Sequence, residues 1–160
     1  MKLKTLWVVA AVLLVAACKQ PAPETTNAGG TQAGGPTAPA GDINAVRQQL
    51  QQVGDRVFFA FDRSDITPEA QQILSRQAQL LQANPSVSIT IAGNCDERGT
   101  REYNLGLGER RANAAKQALI ALGVNPARIQ TISYGKERPS VPGHNEQAWA
   151  QNRNAITSIN

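Results

Sequence analysis

The sequence is short of the side chains from which catalytic and metal centres are built. It holds one histidine and two cysteines in 160 residues, whereas a zinc site draws several Cys or His ligands together. Aromatic residues are also few, with three Phe, two Trp and two Tyr, so the core has to be largely aliphatic. Charge of one sign is not in large excess: 16 basic residues stand against 12 acidic ones. That balance gives no argument for a nucleic-acid partner. No internal repeat is apparent, and at this length one ordinary domain is expected.

There is one long apolar run, Leu6 to Ala17, preceded by Lys2 and Lys4. It is too short to span a bilayer as a mature helix but suits a signal peptide, here residues 1–17. The run ends in LVAAC, Leu14 to Cys18, which resembles the lipobox of bacterial lipoproteins, whose cysteine is acylated and becomes the mature N-terminus. Cys18 is therefore the expected lipidation site, and Lys19 in place of Asp implies sorting to the outer membrane. Removing the leader takes Lys2 and Lys4 from the 16 basic residues, leaving 14 against 12 acidic ones, or +2. With Cys18 acylated, Cys95 is the one remaining thiol and no intrachain disulfide can form.

From Gln20 to Gly41 the 22 residues contain no Leu, Ile, Val, Met or aromatic side chain. Such a stretch cannot bury enough apolar area to offset its ordering entropy, so residues 18–42 read as acylated cysteine plus disordered linker. The linker would reach roughly 25 Å as a coil and at most about 75 Å when drawn out.

The folded part is expected over 43–160. INAVRQQLQQVG suggests a peripheral helix, and RVFFAFD (Arg56 to Asp62) a strand with Val57, Phe59 and Phe61 on one face. Thr67 and Pro68 mark a helix start, and apolar spacing carries that helix to about Ala83. VSITIAG (Val87 to Gly93) alternates as a second strand, parallel to the first if the two share a sheet. A helix over Tyr103 to Leu122 should face inward with Leu105, Gly108, Ala112, Ala115, Leu119 and Leu122. A strand at Arg128 to Tyr134, a short helix at Asn145 to Asn152 and a strand at Ala155 to Ile159 complete a two-layer α/β (α+β) sandwich with a small mixed sheet. The element order is β-α-β-α-β-(short α)-β.

The segment GNCDERGT, Gly93 to Thr100, concentrates the chemistry. By strand parity Cys95 points to the core margin as an inert thiol, since a redox motif would want a second cysteine nearby. Asp96 has the opposite parity and should project from the strand end, with Glu97 and Arg98 solvated in a loop that Gly99 allows. Loops following parallel strands share a sheet edge, so Asp62–Thr67 and Gly93–Thr100 should converge on a polar pocket. Taking Ala112 as inward, Arg111 lies about 100° round its helix on the flank of the stripe, with Leu107 beside it, and Arg110 faces water. For Arg111 the alternative is a surface salt bridge with Asp96, Glu97 or Glu102; for Phe61 it is core packing.

FAFDRSDI, GNCDERGTREYN, LGERRANA, ISYGKERP and GHNEQAWAQNR resemble, in order, the signature segments of the peptidoglycan-associated lipoproteins. These sit within the wider group of OmpA-like domains, named for the C-terminal domain of outer-membrane protein A. The likeness covers about Arg56 to the C-terminus. It implies an OmpA-like fold and non-covalent, non-catalytic binding of peptidoglycan through the meso-diaminopimelate of the stem peptide. It further implies an outer-membrane lipid anchor and partnership with a TolB-like propeller protein and the Tol complex in cell division.

Carried over residue by residue, Asp96 takes the ligand's ammonium and Arg111 its carboxylate. Phe61, Asp62 and Leu107 line the pocket, and Thr100, Asn152 and Arg153 stand at its rim. No metal or cofactor is implied. The sequence departs from the family pattern at Asn94, often histidine, and at Asn154, often a second arginine. Competing readings are a glycan-cleaving Asp62/Asp96 couple, and a lipoprotein that binds only protein partners. GLG at Gly106 to Gly108 lacks the lysine of a phosphate loop, and His144 reads as a surface or capping residue.

Overall fold

The computed structural model describes residues 42–160; the leader, Cys18 and almost all of the linker lie outside them. The chain runs α1 (Ile43–Val53), β1 (Arg56–Phe58), α2 (Pro68–Ala83), β2 (Ile89–Asn94), α3 (Arg101–Ala121), a 3-10 turn (Pro126–Arg128), β3 (Ile129–Gly135), α4 (Glu146–Asn152) and β4 (Asn154–Ile159). The four strands form one sheet in the order β1-β4-β2-β3. β2 and β3 pair in parallel, while β4 lies antiparallel to both β1 and β2. The first two strands thus point the same way as expected, but they are not neighbours. The chain's last strand fills the space between them.

Helix starts follow the capping chemistry in the sequence. Thr67 accepts from the Ala70 amide at 3.2 Å ahead of Pro68, which satisfies an otherwise orphaned donor. Thr100 does the same for Tyr103, so α3 begins two residues before the apolar periodicity does. The inward strand positions Val57, Ile89, Ile91, Ala155 and Ile159 pack against Leu74, Leu81, Ala112, Ala115 and Leu119 of α2 and α3. Each fully buried Val, Ile or Leu side chain contributes roughly 1.5–3 kcal/mol. Two expectations for the core are corrected here. Leu105 is exposed, and Asn104 is the buried member of that helical turn. Phe61 is 57% exposed, because the strand stops at Phe58 and the chain turns before Phe61 can reach the core.

One contact fixes how α3 lies on the sheet. A Cβ added at Gly93 would stand 1.8 Å from the Gly108 carbonyl oxygen, and one at Gly108 would stand 2.3 Å from the Ser133 hydroxyl. Helix and strand therefore meet backbone to backbone, closer than any side chain permits. This brings the face of α3 that carries Arg111 down to the end of β2.

Candidate ligand-binding site

Beyond β1 the chain pairs once more, Phe59 N–H donating to the Arg153 carbonyl at 2.9 Å, then closes a turn from Arg63 N–H to the Ala60 carbonyl. Asp62 in this turn has φ 55°, a left-handed backbone conformation uncommon outside glycine and found often at functional sites. Its carboxylate accepts a hydrogen bond from the Tyr103 hydroxyl of α3.

Beyond β2, Cys95 N–H donates to the Gly135 carbonyl at 2.7 Å. The loop from Asp96 to Gly99 is then held from both sides. Asn104 Nδ2 donates to the carbonyls of Arg98 and Thr100, and Lys136 Nζ to those of Glu97 and Gly99. Gly99 takes φ 90°, as its place in the tight loop requires. The Cys95 thiol is buried and donates to the Asn104 carbonyl. Burial pushes its pKa up, so it stays protonated and unreactive.

Arg111 reaches between these two loops from the third turn of α3. It is completely buried, so the alternative of a surface salt bridge does not apply, and it lies against the loop edge with Leu107 on the same hollow. Nε donates to the Arg63 carbonyl at 2.9 Å, Nη1 to Asn94 at 2.8 Å and Nη2 to Ala60 at 3.1 Å. Its guanidinium stands 5.2 Å from the centre of the Phe59 ring. Burial lowers its pKa, yet an arginine stays charged throughout the physiological range. Of its five N–H groups three are used, which leaves two.

Asp96 does not project into solvent; it is 4% exposed. Oδ1 accepts from the backbone N–H and Nε of Arg98, both at 3.1 Å. Oδ2 accepts from Arg98 Nη2 at 2.6 Å and Arg153 Nη1 at 3.2 Å. Burial alone would raise the pKa of this carboxyl, but the hydrogen bonds from Arg98 and Arg153 outweigh it and hold the pKa below its ordinary value.

Phe61, Asp62, Asp96, Arg98, Leu107 and Arg111 line a common hollow of about 140 Å³. The convergence of the two loops at one sheet edge, read from the strand order, is what the structure shows. A buried guanidinium and a buried carboxylate on the walls of one small concavity can receive a group that carries both signs of charge.

The three rim candidates do not line this hollow themselves. Thr100 caps α3. Asn152 exchanges two hydrogen bonds with the Val141 backbone and faces a neighbouring hollow. Arg153 lies behind Asp96, tying it to the Phe59 carbonyl and to Glu146. Three further residues were not singled out as site residues from the sequence. Tyr103 holds Asp62, and Arg98 lies between the Phe61 ring at 4.0 Å and the Trp149 ring at 4.2 Å. Trp149 is the sole tryptophan of the described residues, and its indole N–H donates to Glu97. The two departures at Asn94 and Asn154 prove to be partners: Asn94 Nδ2 donates to Asn154 Oδ1 at 2.8 Å, both side chains being buried. His144, 86% exposed, pairs with Glu97.

Residues 58–153, more than half of the chain, match the OmpA family. The peptidoglycan-associated lipoprotein of Haemophilus influenzae is 41% identical over 96% of this chain and 95% of its own length. The chain belongs to the OmpA family, within its peptidoglycan-associated lipoprotein branch. The Brucella melitensis member is 56% identical over 68% of this chain, a match that spans 64% of that relative's length. The crystal structure of the Burkholderia pseudomallei member superposes with a TM-score of 0.65 at 45% identity, covering 67% of this chain and 91% of that one. The OmpA-like α+β fold expected from the resemblance is therefore the fold found. Among the described residues no helix is long and apolar enough to cross a membrane, and no cluster of three or more candidate metal ligands occurs.

Proposed function

We propose that this OmpA-family chain binds peptidoglycan non-covalently through the free end of meso-diaminopimelate, with no catalytic step. The observation that carries the reading is the joint placement of the Asp96 carboxylate and the Arg111 guanidinium on the walls of one hollow. Diaminopimelate ends in a carbon bearing both an ammonium and a carboxylate. The two unused N–H groups of Arg111 suit the carboxylate and Asp96 suits the ammonium, at about 1.5–3 kcal/mol for each charge-assisted bond. Phe61 and Leu107 supply apolar walls for the methylenes that lead to that carbon.

Family membership supports a wider role. Acyl chains on Cys18 would hold the chain in the outer membrane facing the periplasm, more than one chain being needed for stable anchoring. The linker would give the domain its reach toward the wall. A TolB-like propeller protein and the Tol complex are the partners implied for envelope integrity and division, with the propeller using the same face of the domain.

Varying the ligand tests this without disturbing a buried side chain. The chain should co-sediment with purified sacculi and release no soluble fragments. Sacculi in which the side-chain carboxylate of diaminopimelate is amidated should sediment it far less. Equal sedimentation by amidated and unamidated sacculi would sink the proposal, and release of muropeptides would favour the Asp62/Asp96 hydrolase reading.

A further inference from the structure

We infer that Arg98 occupies the ammonium seat of the resting site, so that ligand entry is an exchange of one cation for another at Asp96. The inference rests on the diaminopimelate reading and deepens it. A carboxylate offers about four acceptor positions, and those of Asp96 are filled: Arg98 supplies three of the four hydrogen bonds and Arg153 the fourth. No acceptor is left for an incoming ammonium while the Arg98 side chain stays in place.

The four bonds differ in how easily they are given up. The Arg98 amide belongs to a loop pinned by Asn104 and Lys136. Arg153 is buried and fixed at the same time by the Phe59 carbonyl and Glu146. The Arg98 side chain is 30% exposed, so its guanidinium is the part that can move. Its departure frees one position on each carboxylate oxygen, while the amide and Arg153 keep Asp96 oriented.

The surroundings provide for both positions of that guanidinium. The Phe61 and Trp149 rings stack on it while its Nε and Nη2 edge faces Asp96, and Glu146 already stands 3.7 Å from Nη1. A released Arg98 can remain against Trp149 and pair with Glu146, so the net charge at the carboxylate is unchanged by the exchange. Phe61, exposed and bordering the hollow, then loses its cation and is free to cover the ligand's methylenes.

An internal competitor lowers apparent affinity, so removing it should raise affinity. The test is a titration of the mature, acylated chain in detergent with an N-acetylated L-Ala–D-Glu–meso-diaminopimelate peptide, using R98A and R98Q beside the unaltered chain and circular dichroism to check folding. Both variants should bind more tightly, on the order of tenfold, equivalent to about 1.4 kcal/mol. Ligand should also change Trp149 fluorescence in the unaltered mature chain, whose leader has taken Trp7 with it, and much less in R98A. If the unaltered chain binds but folded R98A and R98Q bind equally or more weakly, Arg98 is a ligand contact or a bystander and the inference is overturned. Binding by none of the three chains would overturn the diaminopimelate reading itself, and the inference with it.

Discussion

Replacing Arg111 with alanine should cost the fold more than it reveals about the ligand. The side chain is completely buried and donates to three backbone carbonyls, those of Ala60, Arg63 and Asn94. The first two belong to the turn after β1 and the third to the last residue of β2. Removing the guanidinium leaves the Ala60 oxygen its bond from Arg63 N–H but takes the side-chain donor from the Arg63 and Asn94 carbonyls, at about 1–3 kcal/mol for each buried acceptor left unsatisfied, and leaves a cavity beside Phe59. Partial relaxation and entry of water keep the sum below the additive total. A loss of about 3–5 kcal/mol is expected, typical of deleting one partner from a buried charged network, against a total of roughly 5–15 kcal/mol for a domain. Urea unfolding followed by circular dichroism should show the midpoint falling with little change in slope, and the melting temperature should drop by roughly 10–20 °C. R111K keeps the charge but not the fork, and should fall between the two. An R111A unfolding free energy within about 0.5 kcal/mol of that of the unaltered chain would refute the claim that this residue ties the loops together.

Gly108→Ala should be more disruptive than its size suggests, because the new methyl would stand 2.3 Å from the Ser133 hydroxyl and 2.8 Å from the Gly93 carbonyl; overpacking of about 1–3 kcal/mol should appear in a thermal melt. Asn94→Ala removes the donor to the buried Asn154 Oδ1, at about 1–3 kcal/mol, and a double-mutant cycle with N154A should give a coupling of at least about 0.5 kcal/mol. Asp96 has a folded pKa below its ordinary value, so its contribution to stability is complete above about pH 4 and fades as pH falls through the lower folded value. The urea midpoints of the unaltered chain and D96N should therefore differ most near neutrality and converge in acid.

Much of the fold is legible in the sequence where local chemistry and tertiary structure agree. Thr67-Pro68 and Asn84-Pro85 bracket α2, and the alternation of β2 sends Ile89, Ile91 and Cys95 inward even across the register shift at Gly93/Asn94. Legibility fails where a non-local partner decides. Leu105 and Asn104 compete for the same helical face, and the amide is buried because two loop carbonyls need its N–H groups. Phe61 follows a strand pattern that the turn at Ala60–Arg63 interrupts. Asp96 and Arg111 were identifiable as a pair, yet their burial was not, since it depends on Arg153 from the far end of the chain and on carbonyls that no residue pattern marks. Arg98 reads as a solvated loop residue because Trp149, 51 positions away, gives no local signal.

The bonds from Arg111 to the carbonyls of Ala60, Arg63 and Asn94 mean that the walls of the hollow form one stiff unit before anything enters it. Little backbone ordering remains to be done on binding, so association should show a small conformational-entropy penalty and a rate set by how often a single side chain swings aside.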